Sequence, residues 1–237
     1  MGRKIDNIVD ILNFCKSLGF KDLPGQFVQS LLEQFSEGAF PANYDESSEY
    51  AQLSIEKLNE EIRQCKKCPL SNSRKNPVCG EGSINAKLMF VGEAPGVEED
   101  LQGSPFVGEA GKVLTSLIEK MGFNRKDVYI TNTVKCHPPM NRDPLESEVF
   151  ECFDYLRREI EIVSPQVIMC LGRVATYTLM GMHGKLKDLH ISRIRGRVFF
   201  YNQIPVIPTF HPAYLLRNRK DKWLTWQDAQ EALRRIR

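Results

Sequence analysis

Four of the seven cysteines fall into a pattern that suits a metal centre. Cys65 and Cys68 are separated by two residues, and Cys136 is followed, after a gap of fifteen residues, by Cys152. Two thiolates from a tight Cys-x2-Cys turn and two from distant points can surround one centre, and an all-thiolate set suits zinc or an iron–sulfur cluster. Zinc knuckles more often pair two short Cys-x2-Cys turns. The long, helix-forming gap here leans toward the bulkier cluster, with zinc left open. The plain alternative is that Cys136 and Cys152 are unrelated buried thiols, because free cysteine packs as a small hydrophobe. Cys15 and Cys170 read as packing residues and Cys79 as a loop thiol.

A second set of residues could bind and act on a planar polar ligand. GEAPG at 92–96 allows close backbone approach, and it stands beside the carboxylates Glu93, Glu98, Glu99 and Asp100. Phe106 in SPFVG could stack on a base. The amide of Asn132 offers an acceptor and two donors, which matches an imide edge presenting two carbonyls and one N–H. His211 opens the segment HPAYLL. Taken one at a time, these are a tight turn, a core aromatic and a structural histidine.

The elements that must position these residues are strands alternating with helices. Apolar runs at 86–92, 128–134 and 166–172 read as buried strands, and 197–201 and 205–209 as two shorter ones. Helical patterns cover 110–122, 144–163, 173–181 and 222–235. This alternation predicts an α/β fold with a central, mainly parallel sheet flanked by helices on both faces. Ligands of such sheets bind beyond the strand carboxyl ends, where the candidate motifs fall. Ahead of this region, 7–18 and 25–35 read as short helices, 37–50 as a polar linker, and 53–63 as a helix leading into Cys65. The chain is thus expected to divide into an N-terminal helical extension with linker, 1–52, and a main domain, 53–237.

Composition excludes little. The net charge is +2, and no apolar run approaches the ~18 residues a membrane helix needs. The polar N-terminus does not resemble a secretory signal, so a cytoplasmic, nucleoid-associated location is expected, with disulfides disfavoured. Charge is uneven: ten bases against three acids lie between Arg193 and Arg237. That suits a phosphate backbone, although a solvated face explains the asymmetry equally simply.

As a set, C-K-K-C-P-L, VGEAPGVEED, GSPFVGEAG, TNTVKCHPP, the gap to Cys152, LGRVA and PTFHPAYLLRN resemble family 4 of the uracil-DNA glycosylases, the 4Fe-4S type. The resemblance covers 53–237; residues 1–52 have no counterpart in it. It implies that Cys65, Cys68, Cys136 and Cys152 hold a 4Fe-4S cluster. It also implies that Phe106 stacks on uracil, that Asn132 reads its imide edge, and that His211 faces the carbonyl oxygen beside the glycosidic nitrogen. Glu93, Ala94 and Glu99 are implied to line the same pocket. A related branch has Gln after the first glycine and a basic insertion whose histidine bonds covalently to DNA. This chain has Glu93 and lacks that insertion, so the covalent variant is not expected.

The implied reaction is excision of uracil from single- or double-stranded DNA by a monofunctional enzyme, expected to be a monomer, leaving an abasic site for base excision repair. Uracil would be extruded, with Leu215 or Leu216 as the wedge filling the gap and Pro212 stiffening the segment. His211 would act as a neutral donor to the departing anion. Glu93 and Glu99 are the carboxylates available to position water, since the place other members give to Asp or Asn is Ala94. The cluster would be structural, ordering Lys66, Lys67 and Arg74 near DNA. Two rivals are a binder that senses uracil without cutting and an iron–sulfur electron carrier; neither accounts for all the motifs.

Overall fold

The structure, a computed structural model, describes residues 46–181 and 186–236. The helices expected over 7–18 and 25–35, and the linker up to residue 45, lie outside the described residues. Six strands form one sheet: β1 (Glu81–Gly82), β2 (Leu88–Gly92), β3 (Tyr129–Asn132), β4 (Val167–Leu171), β5 (Phe199–Tyr201) and β6 (Ile204–Thr209), in the order β1-β3-β2-β4-β6-β5. The four central strands β3, β2, β4 and β6 run parallel, and β1 and β5 pair antiparallel at the two edges.

Side chains alternate across the pleat, so each strand feeds two cores. Met89, Val91, Tyr129, Ile168, Cys170 and Val206 face one side. There they meet Ile55, Leu58 and Ile62 of α1 (Glu46–Gln64), Leu156 and Ile160 of α4 (Glu146–Val163), and Val174 and Ala175 of α5 (Arg173–Leu179). Leu88, Phe90, Ile130, Val167, Met169 and Ile207 face the other side. They meet Leu114 and Ile118 of α3 (Glu109–Lys120) and Ala229 and Ala232 of α8 (Lys222–Leu233). Strands β2 and β4 are buried at every residue, as a parallel sheet covered on both faces requires. The expected α/β architecture is the one observed.

The boundaries differ in instructive places. Helix α1 begins at Glu46, so 46–50 are helical and not part of a linker. Polar composition suggested a linker, but the solvent side of an amphipathic helix is polar as well; Ile55, Leu58 and Ile62, at spacings of three and four, dock it. The acidic run after GEAPG is the short helix α2 (Val97–Gln102), and α6 (Ile191–Ile194) and β1 are further short elements without a periodic signal. HPAYLLR is not a loop: α7 (Pro212–Arg217) starts on Pro212, whose fixed φ suits a first helical turn.

Candidate active site

Gly92 at the end of β2 stands opposite Asn132 at the end of β3. A Cβ placed on Gly92 would lie 2.3 Å from Asn132 Oδ1 and 2.5 Å from Phe106 Cζ. The glycine is therefore what lets the amide and the aromatic ring approach the same spot. Asn132 is 1% exposed, yet neither its Oδ1 nor its Nδ2 has a hydrogen-bond partner among the described residues. Leaving both ends of a buried amide unpaired costs on the order of 1–3 kcal/mol per group, which is the signature of a group reserved for a ligand. The backbone around Asn132 is fixed instead: Thr133 donates N–H and Oγ1–H to Gly92 O, and Val134 N–H donates to Glu93 O.

Phe106 is held in the left-handed region, at φ 52°. Its loop is clamped from two sides. Glu99 Oε1 accepts the N–H groups of Val107 and Gly108 at 2.9 and 3.0 Å, while its Oε2 accepts Gly96 N–H at 3.1 Å. From the far side, Arg125 donates to Pro105 O. Glu99 thus ties the GEAPG turn to the Phe106 loop, and both its oxygens are engaged.

His211 follows β6 and caps α7. Ala213 N–H donates to His211 Nδ1 at 3.2 Å, which leaves the proton of the neutral ring on Nε2. Burial pushes the imidazole down to about 4, against the opposing pull of the Glu99 carboxylate. A neutral donor is therefore built in. Its ring centroid lies 5.8 Å from that of Phe106, tilted by 34°. Gly172 (φ 94°) makes room behind it, since a Cβ there would lie 3.1 Å from His211 Cβ. The end of β6 is anchored by Thr209 Oγ1, which donates to buried Asp228, itself gripped by Arg195.

One cavity of roughly 390 Å³ collects these groups, with Glu93, Ala94, Glu99, Phe106, Asn132 and His211 in its wall. Burial pushes the Glu93 carboxyl up to about 7, with nearby Asp143 adding to the effect and Arg173 opposing it. Of the two wedge candidates, Leu215 is 3% exposed and packs inward, whereas Leu216 is 39% exposed. On one turn of helix the two side chains point in different directions, so only Leu216 is available to a duplex. One base of the C-terminal region, Arg195, is committed internally to Asp228, while Arg234 and Arg235 pair with Glu231 nearer the surface.

Several groups that the sequence does not single out also belong to the site. Asn141, at φ 55°, and Arg142 and Arg217 also line the cavity. His137 Nδ1 lies 2.9 Å from Pro95 O and so ties the segment after β3 to the GEAPG turn. Asn141 carried one legible signal, because asparagine tolerates the left-handed region after a proline pair.

Cys65, Cys68, Cys136 and Cys152 together line a separate cavity between α1 and α4, with Lys67, Arg74 and Tyr155 beside them. All four are free thiols. Donors already point at three sulfurs: Lys67 N–H at Cys65, Arg74 Nη1–H at Cys136 (2.9 Å), and Lys135 N–H at Cys152 (3.3 Å). Among the described residues, no three His, Cys, Asp or Glu side chains form a group that could hold a single metal ion.

The chain is similar to proteins of one known family. A family profile described as the uracil DNA glycosylase superfamily matches residues 79–234. The type-4 uracil-DNA glycosylase of Saccharolobus solfataricus is 48% identical over 171 residues, covering 70% of this chain and 78% of its own. The type-4 enzyme of Archaeoglobus fulgidus is 46% identical over 69% of this chain and 83% of its own, and that of Thermotoga maritima 46% over 71% and 86%. A type-5 enzyme from Pyrobaculum aerophilum is more distant, at 32%. By the family profile over most of its length and these identities, the chain belongs to the uracil-DNA glycosylase superfamily, among the type-4 uracil-DNA glycosylases.

Proposed function

We propose that this protein is a monofunctional uracil-DNA glycosylase, which binds uracil extruded from DNA and hydrolyses its N-glycosidic bond to leave an abasic site. The observation that carries the reading is Asn132, an amide buried at the floor of the cavity with both polar ends unpaired. Uracil's O4 and N3–H complement that amide, one accepting from Nδ2 and the other donating to Oδ1. Cytosine offers an amine and a bare ring nitrogen there, so each of its contacts is mismatched.

Cleavage leaves negative charge on the departing base, and fixed donors stabilise it most effectively. His211 Nε2–H serves this purpose as a neutral group, so no proton needs to be lost or gained before the bond breaks. Phe106 stacks on the ring. Ala94 leaves space beside the turn, and Glu93 is the carboxylate that orients water. Glu99, with both oxygens accepting backbone N–H groups, positions the loops and does not act as a base. Leu216 enters the stack as the base leaves it.

The four cysteines, drawn from separate segments into one cavity, would hold a 4Fe-4S cluster, which an all-thiolate set suits. The cluster, when bound, cross-links the 65–68 turn to Cys136 and Cys152. The enzyme works as a monomer on DNA in the cytoplasm. No described helix is long and apolar enough to cross a membrane.

The test is release of uracil from a single-stranded deoxyuridine oligonucleotide by the purified protein and by Asn132→Ala and His211→Ala, with iron quantified in each. Activity in the parent, lost by orders of magnitude in both variants at equal iron content, supports the reading. Binding of the oligonucleotide without base release would point to the sensing rival instead.

A further inference from the structure

Lys135 is 1% exposed. Its Nζ donates to Glu159 Oε2 at 2.6 Å, to Thr131 Oγ1 at 2.7 Å, and to the backbone carbonyl of Asn132 at 2.8 Å. Glu159, buried on α4, also accepts from Thr131 Oγ1–H at 2.9 Å and from Gly80 N–H at 3.2 Å. The backbone of Lys135 is fixed as well: its carbonyl accepts Val78 N–H at 2.8 Å, and its N–H points at Cys152 Sγ.

A buried ion pair is weak support for stability, because desolvation offsets much of the attraction. This pair is nevertheless kept beneath a side chain that has no hydrogen bonds of its own. With nothing gripping the amide, its direction is set by its backbone and by the steric gap at Gly92. The ammonium grips that backbone from below at the residue's own carbonyl. We infer that Lys135, held by Glu159, is a positioning residue for uracil recognition: it fixes the main chain of Asn132 so that the unpaired amide is presented edge-on to the base. The inference rests on the assignment of Asn132 as the uracil-reading group.

Lys135→Met alone strands a buried carboxylate and can fail to fold. The informative variant is therefore Lys135→Met/Glu159→Gln, which is neutral and keeps acceptors and donors for Gly80 and Thr131. Glu159→Gln alone also leaves a buried charge, the ammonium, without its partner but keeps it donating to the Asn132 carbonyl, so it separates loss of the ion pair from loss of that hydrogen bond. For each variant, melting temperature, iron content, kcat and KM on the deoxyuridine oligonucleotide, and inhibition by free uracil are measured, with and without Asn132→Ala.

The expected result is a loss of at least tenfold in both kcat/KM and uracil affinity for the double variant, at parental iron content. Glu159→Gln should stay within about threefold of the parent in uracil affinity. In the Asn132→Ala background, the same pair of substitutions should add less than threefold. Losses that multiply across the two backgrounds, or an equal loss in Glu159→Gln alone, would overturn the positioning role while leaving Asn132 as the reader. An Asn132→Ala variant with unchanged kcat/KM and uracil affinity would remove both assignments together.

Discussion

At the scale of the residue, the site is built on two perturbed protonation equilibria. His211 is pushed down to about 4 by burial, so it is neutral throughout the range in which such an enzyme operates. Removing one fixed donor to a developing anion typically costs ~2.7–4 kcal/mol. His211→Ala should accordingly lower kcat by about two to three orders of magnitude with KM little altered, as steady-state kinetics would show. Glu93 is pushed up to about 7. If its carboxylate orients water, kcat/KM should fall with unit slope below about pH 7, and Glu93→Gln should lose that limb together with most of the activity. A parent profile flat from pH 5 to 8 would remove Glu93 from that role. The same shift has a consequence for stability. Its folded pKa lies above the unfolded value, so the native state holds the extra proton and stability declines as pH rises from about 4.5 to 7. Discounted for partial exposure, the cost is about 2 kcal/mol at most. Glu93→Gln should melt above the parent at pH 8, with the difference vanishing near pH 4.

At the scale of the element, α7 does two jobs with adjacent residues. Leu215 is buried and lines a small cavity together with residues of α3 and α8, and Leu216 faces out. Leu215→Ala should cost about 2–5 kcal/mol, as core leucines do, measured by denaturant unfolding. Leu216→Ala should leave unfolding within about 0.5 kcal/mol and slow excision from duplex DNA more than from single strands, where no gap needs filling. Equal losses on both substrates would exclude a wedge. The sequence HPAYLLR contains both leucines but does not tell them apart, because their separation depends on the helical phase set by Pro212 and on what lies underneath.

At the scale of the whole molecule, two sites share one body. The cysteine cavity joins the 65–68 turn at the end of α1 to Cys136 after β3 and Cys152 on α4, and Lys135 runs from its edge to the floor of the other cavity. A bound metal centre adds its binding free energy to folding. Cys152→Ala should therefore abolish bound iron and lower the melting temperature by on the order of 10 °C, read by scanning calorimetry with iron analysis. Iron-free protein melting with the parent would show that the cysteines do not brace the fold.

Some of this was determined by the sequence alone. Apolar runs broken by helical periods bury themselves as a parallel sheet covered on both faces, which places GEAPG, Asn132 and His211 together at the carboxyl ends of its strands. Residue chemistry likewise marked the four cysteines and the amide. Other features were decided only in three dimensions, because they depend on distances between remote segments. The sequence offers Glu99 as a carboxylate, and only the fold brings three backbone N–H groups onto its two oxygens. Leu215 looked like a wedge until it was buried. Lys135, unremarked inside TNTVKC, gained a role only when Glu159 and the Asn132 carbonyl came within 3 Å of its ammonium. Periodicity reports which face is buried; the free energy of a polar group depends on which partners the fold brings to it.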